Sequence, residues 1–253
     1  MDILIHTLSG MSVTTVAAAW IYERRRDRFK LIALGAFAGA LPDVDALSMW
    51  SGFDGTFGKW FSLEATGRDI YRGSYWYSHH AFMHSFLASV FLPSLFIGVL
   101  SAIRKRPQSH LMWKKGLVFT LAFNAHLAGD LPTPSGAWDG IAYFYPSQQY
   151  IGGYGLTHWW NNYDIFLILL LCVATNVVLL VTIKRRHWTP TAIAVVATVL
   201  CVVQLNRRNF DFNSKEYTHE QRNAKSLELQ REYLGETVCG WMERFDKSLP
   251  VNF

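Results

Sequence analysis

Apolar residues in this chain fall into six long runs, at 3–22, 31–49, 81–103, 116–131, 165–183 and 188–205, with polar stretches at 48–78, 133–163 and 206–253. Each run approaches the roughly 20 residues a helix needs to cross the hydrocarbon of a bilayer. The last two carry almost no polar side chains, whereas the second and fourth hold acidic residues and are expected to be short or broken. Asp2 and no basic residue precedes the first run, and no cleavage site follows it, so it reads as a span and not a secretory signal. The pattern predicts an all-α polytopic bundle of about six transmembrane helices over residues 1–205. A polar helical tail follows over 206–253, opened by a capping box at Thr218-His-Glu-Gln221. Within the second run, Gly35 and Gly39 have the small-xxx-small spacing that lets membrane helices approach closely.

Charge orients this bundle. Basic clusters at 23–30, at 104–106 with 114–115, and at 184–186 follow the first, third and fifth runs. Lysine and arginine accumulate in cytoplasmic loops, so the chain is expected in a bacterial-type inner (plasma) membrane with stretches 48–78 and 133–163 outside. The tail then also lies outside, where Arg207 and Arg208 run against the rule. The net charge of +5 sits in short loops, which argues against a nucleic-acid partner. Aromatic side chains are dense in the two outer stretches. They suit first an interfacial belt, and compatibly with it a lid or cleft for a membrane lipid or other amphiphile. Cys172, Cys201 and Cys239 are too far apart for a disulfide framework or a zinc-finger spacing. Any metal must therefore be held by histidine and carboxylate.

Ionisable residues inside membrane helices are costly and usually have partners. Here His6 opens the first helix and Asp43 and Asp45 close the second. His79, His80 and His84 open the third, and His126 and Asp130 close the fourth. Odd helices start outside and even helices end there, so all these residues converge at one membrane face. His126 and Asp130, at i and i+4, share a helix side. Imidazole with carboxylate suits zinc, with manganese or iron as alternatives, and so many ligands suit one or two ions. Such a centre lowers the pKa of bound water and supports hydrolysis. Each residue also has a structural reading: His6 as an interfacial histidine, Pro42-Asp43-Val-Asp45 as a helix end, His126–Asp130 as a buried hydrogen-bonded pair. Neighbours on a helix point apart, so one of His79 and His80 is not expected to be a ligand. His158 and His187 have weaker cases, and His110 and His219 read as surface.

At these motifs the sequence resembles the LexA-regulated inner-membrane family of metal-dependent hydrolases. That family carries Thr-His, Leu-Pro-Asp-x-Asp, His-Arg-Gly-x-Thr-His-Ser and His-Leu-x-x-Asp-x-x-Thr-x-x-Gly. The counterparts here are His6, Leu41-Pro-Asp-Val-Asp45, His79-His-Ala-Phe-Met-His-Ser85, and His126-Leu-Ala-Gly-Asp130 continuing through Thr133 to Gly136. The resemblance implies His79 and His84 as ligands, with His80 behind them. The family's Arg-Gly is His80-Ala81 here and its Thr is Met83, so anion binding by the arginine would pass to His80, Arg68 or Arg72. The motif order is also similar to zinc-dependent phospholipase C, which implies phosphoester hydrolysis. His158 is followed at the relevant spacing by Asn162 and not Glu, so a third zinc is not expected.

The expected function is metal-dependent hydrolysis of an ester or phosphoester, on a phospholipase- or phosphoesterase-like pattern, at the extracytoplasmic face. The expected ligands are His6, Asp43, Asp45, His79, His84, His126 and Asp130, and Asp45 and His80 are the candidate catalytic groups. The alternatives are a divalent-metal transporter and a non-catalytic protein stapled by a structural metal.

Overall fold

The computed structural model describes residues 3–22, 24–104, 110–134, 136–155, 159, 162–183, 187–208 and 210–248. These residues form helices and turns with no strand beyond two isolated bridges. The order is α1 (Ile3–Ile21), α2 (Arg25–Ala40), a 3-10 helix (Pro42–Met49), α3 (Gly67–Arg72), α4 (Phe86–Arg104), α5 (His110–Asp130), α6 (Tyr163–Thr182), α7 (Thr189–Arg207) and α8 (His219–Ser248). Among the described residues α1, α4, α6 and α7 are long and apolar enough to cross a membrane. Counted as one span, α2 with the 3-10 helix, bent by 48° where Pro42 interrupts the α-helical ladder, makes a fifth. The fourth expected span lies inside α5, which is long enough but too polar to count among the candidate spans, carrying Lys114, Lys115, Asn124, His126 and Asp130.

Glycine sets the contact between α1 and α2. A Cβ on Gly10 would sit 2.2 Å from the Gly35 carbonyl oxygen, and one on Gly39 would sit 2.3 Å from the His6 carbonyl oxygen. The Gly35–Gly39 pair therefore meets Gly10 backbone to backbone, the close approach that drives association where lipid tails compete for apolar contact. Helix α5 packs on both, centred on Ala38, Ala122, Phe123 and Leu127.

Pro93 lies inside α4 and cannot donate to the carbonyl of Ser89. Thr120 Oγ1 on α5 donates to that carbonyl instead at 2.8 Å, and Asn124 Nδ2 donates to the Ser89 hydroxyl at 2.9 Å. An unsatisfied carbonyl has no water to turn to at this depth. Thr120→Val, which keeps shape and loses the donor, is expected to destabilise the protein by about 1 kcal/mol, read from unfolding in detergent.

Two arginines leave the loop count. Arg28 is buried and donates to the Leu180 and Ile183 carbonyls at 2.7 and 2.8 Å, capping the end of α6. Arg208 is buried in an ion pair with Asp164 and a hydrogen bond to Asn162, so it is not a free charge contradicting the loop pattern. The tail helix α8 opens on the expected capping box: Thr218 N–H donates to Gln221 Oε1 at 2.8 Å and Gln221 N–H to Thr218 Oγ1 at 3.2 Å. It breaks at Gly235 (φ 76°) and packs on the start of α6, where Tyr163 N–H donates to Gln230 Oε1 at 2.7 Å. Trp159, Phe212 and Leu229 form its small core.

The third helix starts later than its apolar run suggests. Ser85 is extended and its hydroxyl accepts from Ala88 N–H at 3.1 Å, which makes it the N-cap of α4. His79 and His80 precede it in a turn and His84 ends a short 3-10 helix (Phe82–His84).

Candidate metal centre

Four segments bring their polar residues to one buried point. Helix α1 supplies His6, the 3-10 helix after α2 supplies Asp43 and Asp45, the turn before α4 supplies His79, His80 and His84, and α5 supplies His126 and Asp130. All seven expected ligands and His80 lie in this cluster. Three overlapping triads, His79–His80–His84, His6–His126–Asp130 and Asp43–His84–His126, each keep their ligand atoms within 4.8 Å of one another.

At its centre, His84 Nε2 and His126 Nε2 are 3.3 Å apart. Each is 3.6 Å from Asp43 Oδ1, and Asp130 Oδ2 is 3.1 Å from His126 Nε2 and 3.7 Å from His84 Nε2. Ligand atoms about 2.0–2.2 Å from a tetrahedral ion lie about 3.3–3.6 Å from each other. The spacing of Asp43, His84 and His126 thus suits a single ion, with Asp130 beside the two imidazoles.

The far side of each ring is fixed. His126 Nδ1 donates to the Gly39 carbonyl at 2.6 Å, and His84 Nδ1 donates to Asp45 Oδ2 at 3.1 Å. With both Nδ1 atoms acting as donors, each neutral ring turns an Nε2 lone pair inward, the arrangement by which outer partners orient metal-binding histidines. Two facing lone pairs repel unless a cation lies between them. Burial alone would lower the His84 pKa, but the carboxylates of Asp45, Asp43 and Asp130 push it up to about 10. Without metal, the proton His84 keeps on Nε2 fills that position. A divalent ion would replace it.

Asp130 extends the cluster to α1. Its Oδ1 is 3.0 Å from His6 Nε2, and the His6 ring stacks on His126 with centroids 3.6 Å apart. Yet both His6 nitrogens and Asp130 Oδ2 are buried without a hydrogen bond. Orphaned polar atoms at such short range call for an explanation, and a cation among them is one of the few available. The residues fit a divalent metal.

Asp45 plays another part than its neighbour. Its two oxygens face His79 Nδ1 at 2.6 Å and His84 Nδ1 at 3.1 Å, so it braces rings on their outer side. His80 is held in the left-handed region (φ 64°), uncommon for a residue with a Cβ. A clasp from the 133–155 stretch pins it there. Its Nδ1 donates to the Gly140 carbonyl at 2.9 Å, and its own carbonyl accepts from Ala142 N–H at 2.9 Å. Gly140 can be nothing larger, because a Cβ would lie 2.2 Å from the Ile151 carbonyl oxygen. Burial, then the adjacent His79 and His84, lower the His80 pKa well below the usual histidine value, so this ring stays neutral.

Sequence reasoning missed the aromatic wall over the histidines. Tyr71 stacks on His79 with centroids 4.6 Å apart, and Trp138 packs at 5.1 Å from His79 and 4.5 Å from His80. Trp138 Nε1 ties the wall together by donating to the Tyr71 carbonyl at 2.8 Å. Nothing in local spacing marks these two; only the aromatic density of their stretches points that way. Exposed Trp50, Trp60, Phe61 and Trp76 lie on the stretch that leads into the histidine turn. Arg68 and Arg72 are exposed on α3. His110, His187 and His219 lie outside the cluster, and His158 lies outside the described residues.

A family model described as YdjM inner membrane protein matches residues 1–210 of the chain. The match takes in all the clustered residues and leaves out most of the tail. No curated protein and no solved structure matches the chain.

Proposed function

The chain belongs to the YdjM inner membrane protein family, and on that premise we propose that it is a membrane-bound metal-dependent hydrolase acting on an ester or phosphoester of an amphiphilic substrate. The observation that carries this reading is the inward convergence of His84 Nε2, His126 Nε2, Asp43 Oδ1 and Asp130 Oδ2 at 3.1–3.7 Å. Asp43, His84, His126 and Asp130 would hold one divalent ion, zinc by its donor set, and His6 would support it from the far side of Asp130. When bound, such an ion supplies Lewis acidity and brings the pKa of water to near 7.

The remaining residues do the positioning. Asp45 holds His84 and His79 in register, and the Gly39 carbonyl holds His126. His80 is neutral with its Nδ1 proton committed to Gly140, so its Nε2 would offer a lone pair to orient a water or substrate hydroxyl beside the site. Tyr71 and Trp138 exclude water above it. The exposed tryptophans suit an interfacial substrate, and the basic loops favour the extracytoplasmic face for the site. Two features weigh against transport through the bundle. Beneath His6, α1 and α2 meet backbone to backbone at Gly10, Gly35 and Gly39, which leaves no path between them. Moreover, the clustered ligands occupy one end of their helices and not the middle.

Metal analysis of purified protein, paired with hydrolysis assays on phospholipid and phosphate esters before and after chelation, tests the proposal. About one equivalent of metal and chelator-sensitive hydrolysis are expected; stoichiometric metal with no turnover of any ester would favour a structural site. Asp45→Asn keeps the shape of the brace but weakens its grip on His84. It is expected to lower metal affinity by about 10–100-fold while leaving full occupancy at saturating metal, as read by competition with a chromophoric chelator.

A further inference from the structure

A second feature lies toward the other end of the bundle and is independent of the hydrolase reading. Helices α2 and α4 both pack on α5, which floors a cavity of about 530 Å³ between them. Phe37, Phe96 and Phe119 line its walls, Leu41 closes the end nearer the metal centre, and Lys30 and Lys115 stand at the other. Lys30 is nine residues before Gly39, and Lys115 is eleven before His126. Gly39 and His126 are hydrogen-bonded. At 1.5 Å rise per residue the two ammonium-bearing positions are therefore about 14 and 17 Å from that contact, at nearly one depth.

We infer that this groove binds one anionic phospholipid, with an acyl chain along the aromatic walls and the headgroup phosphate between Lys30 and Lys115. Among the described residues neither lysine has a carboxylate partner, so the basic end is a pair of unneutralised cations beside an apolar slot at bilayer depth. A phosphate neutralises them, a zwitterionic headgroup does so less well, and a second copy docked by two-fold symmetry would set lysine against lysine. Met112 and Gly116 line the groove with the lysines. The lysine end of the groove lies about 14–17 Å from the Gly39–His126 contact, so a phosphate held there belongs to a bound companion and not to the substrate.

Native mass spectrometry of the full chain in detergent, titrated with phosphatidylglycerol and with phosphatidylcholine, tests this. One phosphatidylglycerol per chain is expected, at least tenfold tighter than phosphatidylcholine. Lys30→Gln with Lys115→Gln, both exposed positions, should weaken it about 30-fold, roughly fivefold per lysine. Leu34→Trp, which fills the groove and leaves both lysines, should abolish it. Equal retention of the two lipids overturns the inference. So does phosphatidylglycerol binding unchanged by either variant, and so does a lipid-free dimer that the lysine substitutions do not alter.

Discussion

Alanine at His126 or at Asp130 is expected to remove the proposed metal and the proposed hydrolysis together while the chain remains in the membrane. Each residue sits at a hub. His126 Nε2 is within 3.1–3.6 Å of His84, Asp43 and Asp130, and Asp130 joins that core to His6. Losing either removes a carboxylate or an imidazole from the point where the candidate ligands converge. The fold has reasons to persist, because the core around Ala122, Phe123 and Leu127 and the Gly10–Gly35 contact do not depend on the ligands. Metal stoichiometry on purified variants is the measurement, with His110→Ala and His219→Ala, outside the cluster, as unchanged controls. Full stoichiometry in either His126→Ala or Asp130→Ala would sink the assignment. Loss of metal with undiminished hydrolysis would separate the ion from the reaction.

The cluster was legible in the sequence because its members are ionisable residues in runs where ionisable residues are expensive. His6, Asp43, His84, His126 and Asp130 announce themselves by position alone, and helix alternation predicts that they share one end. What spacing along a helix could not supply is the turn that carries His79 and His80. A helical reading sends neighbours apart, whereas the left-handed backbone at His80 and the N-cap at Ser85 turn both rings into the cluster. Nor could the sequence distinguish Asp43, which faces inward, from Asp45, which braces imidazoles from behind, since that difference lies in the 3-10 winding after Pro42. Gly10 was within reach. It stands four residues after His6 and four before Thr14, the spacing that matches Gly35 and Gly39 on the facing helix. Arg208 was misjudged as a loop charge because its partner, Asp164, is 44 residues away.

Gly39→Val is expected to empty the proposed metal centre although every candidate ligand remains. A Cβ at Gly39 would lie 2.3 Å from the His6 carbonyl oxygen and 3.2 Å from the Gly10 Cα. Both neighbours are backbone, so no side-chain rotation relieves the clash and α1 must move away from α2. That movement carries off His6, and it displaces the Gly39 carbonyl that holds the His126 ring at 2.6 Å. Overpacking a well-filled contact costs about 1–3 kcal/mol, and a rigid backbone obstacle puts this substitution at or above the upper end. Gly98→Ala is the contrasting case. It too lies within a membrane helix, but a Cβ there meets nothing within 4 Å, and better helix propensity should raise stability by up to about 1 kcal/mol. Thermal unfolding in detergent and metal content, measured on both variants, give the comparison. If Gly39→Val kept wild-type metal and melting temperature, the centre would not depend on the glycine contact between α1 and α2, and His6 would have to be placed by something else.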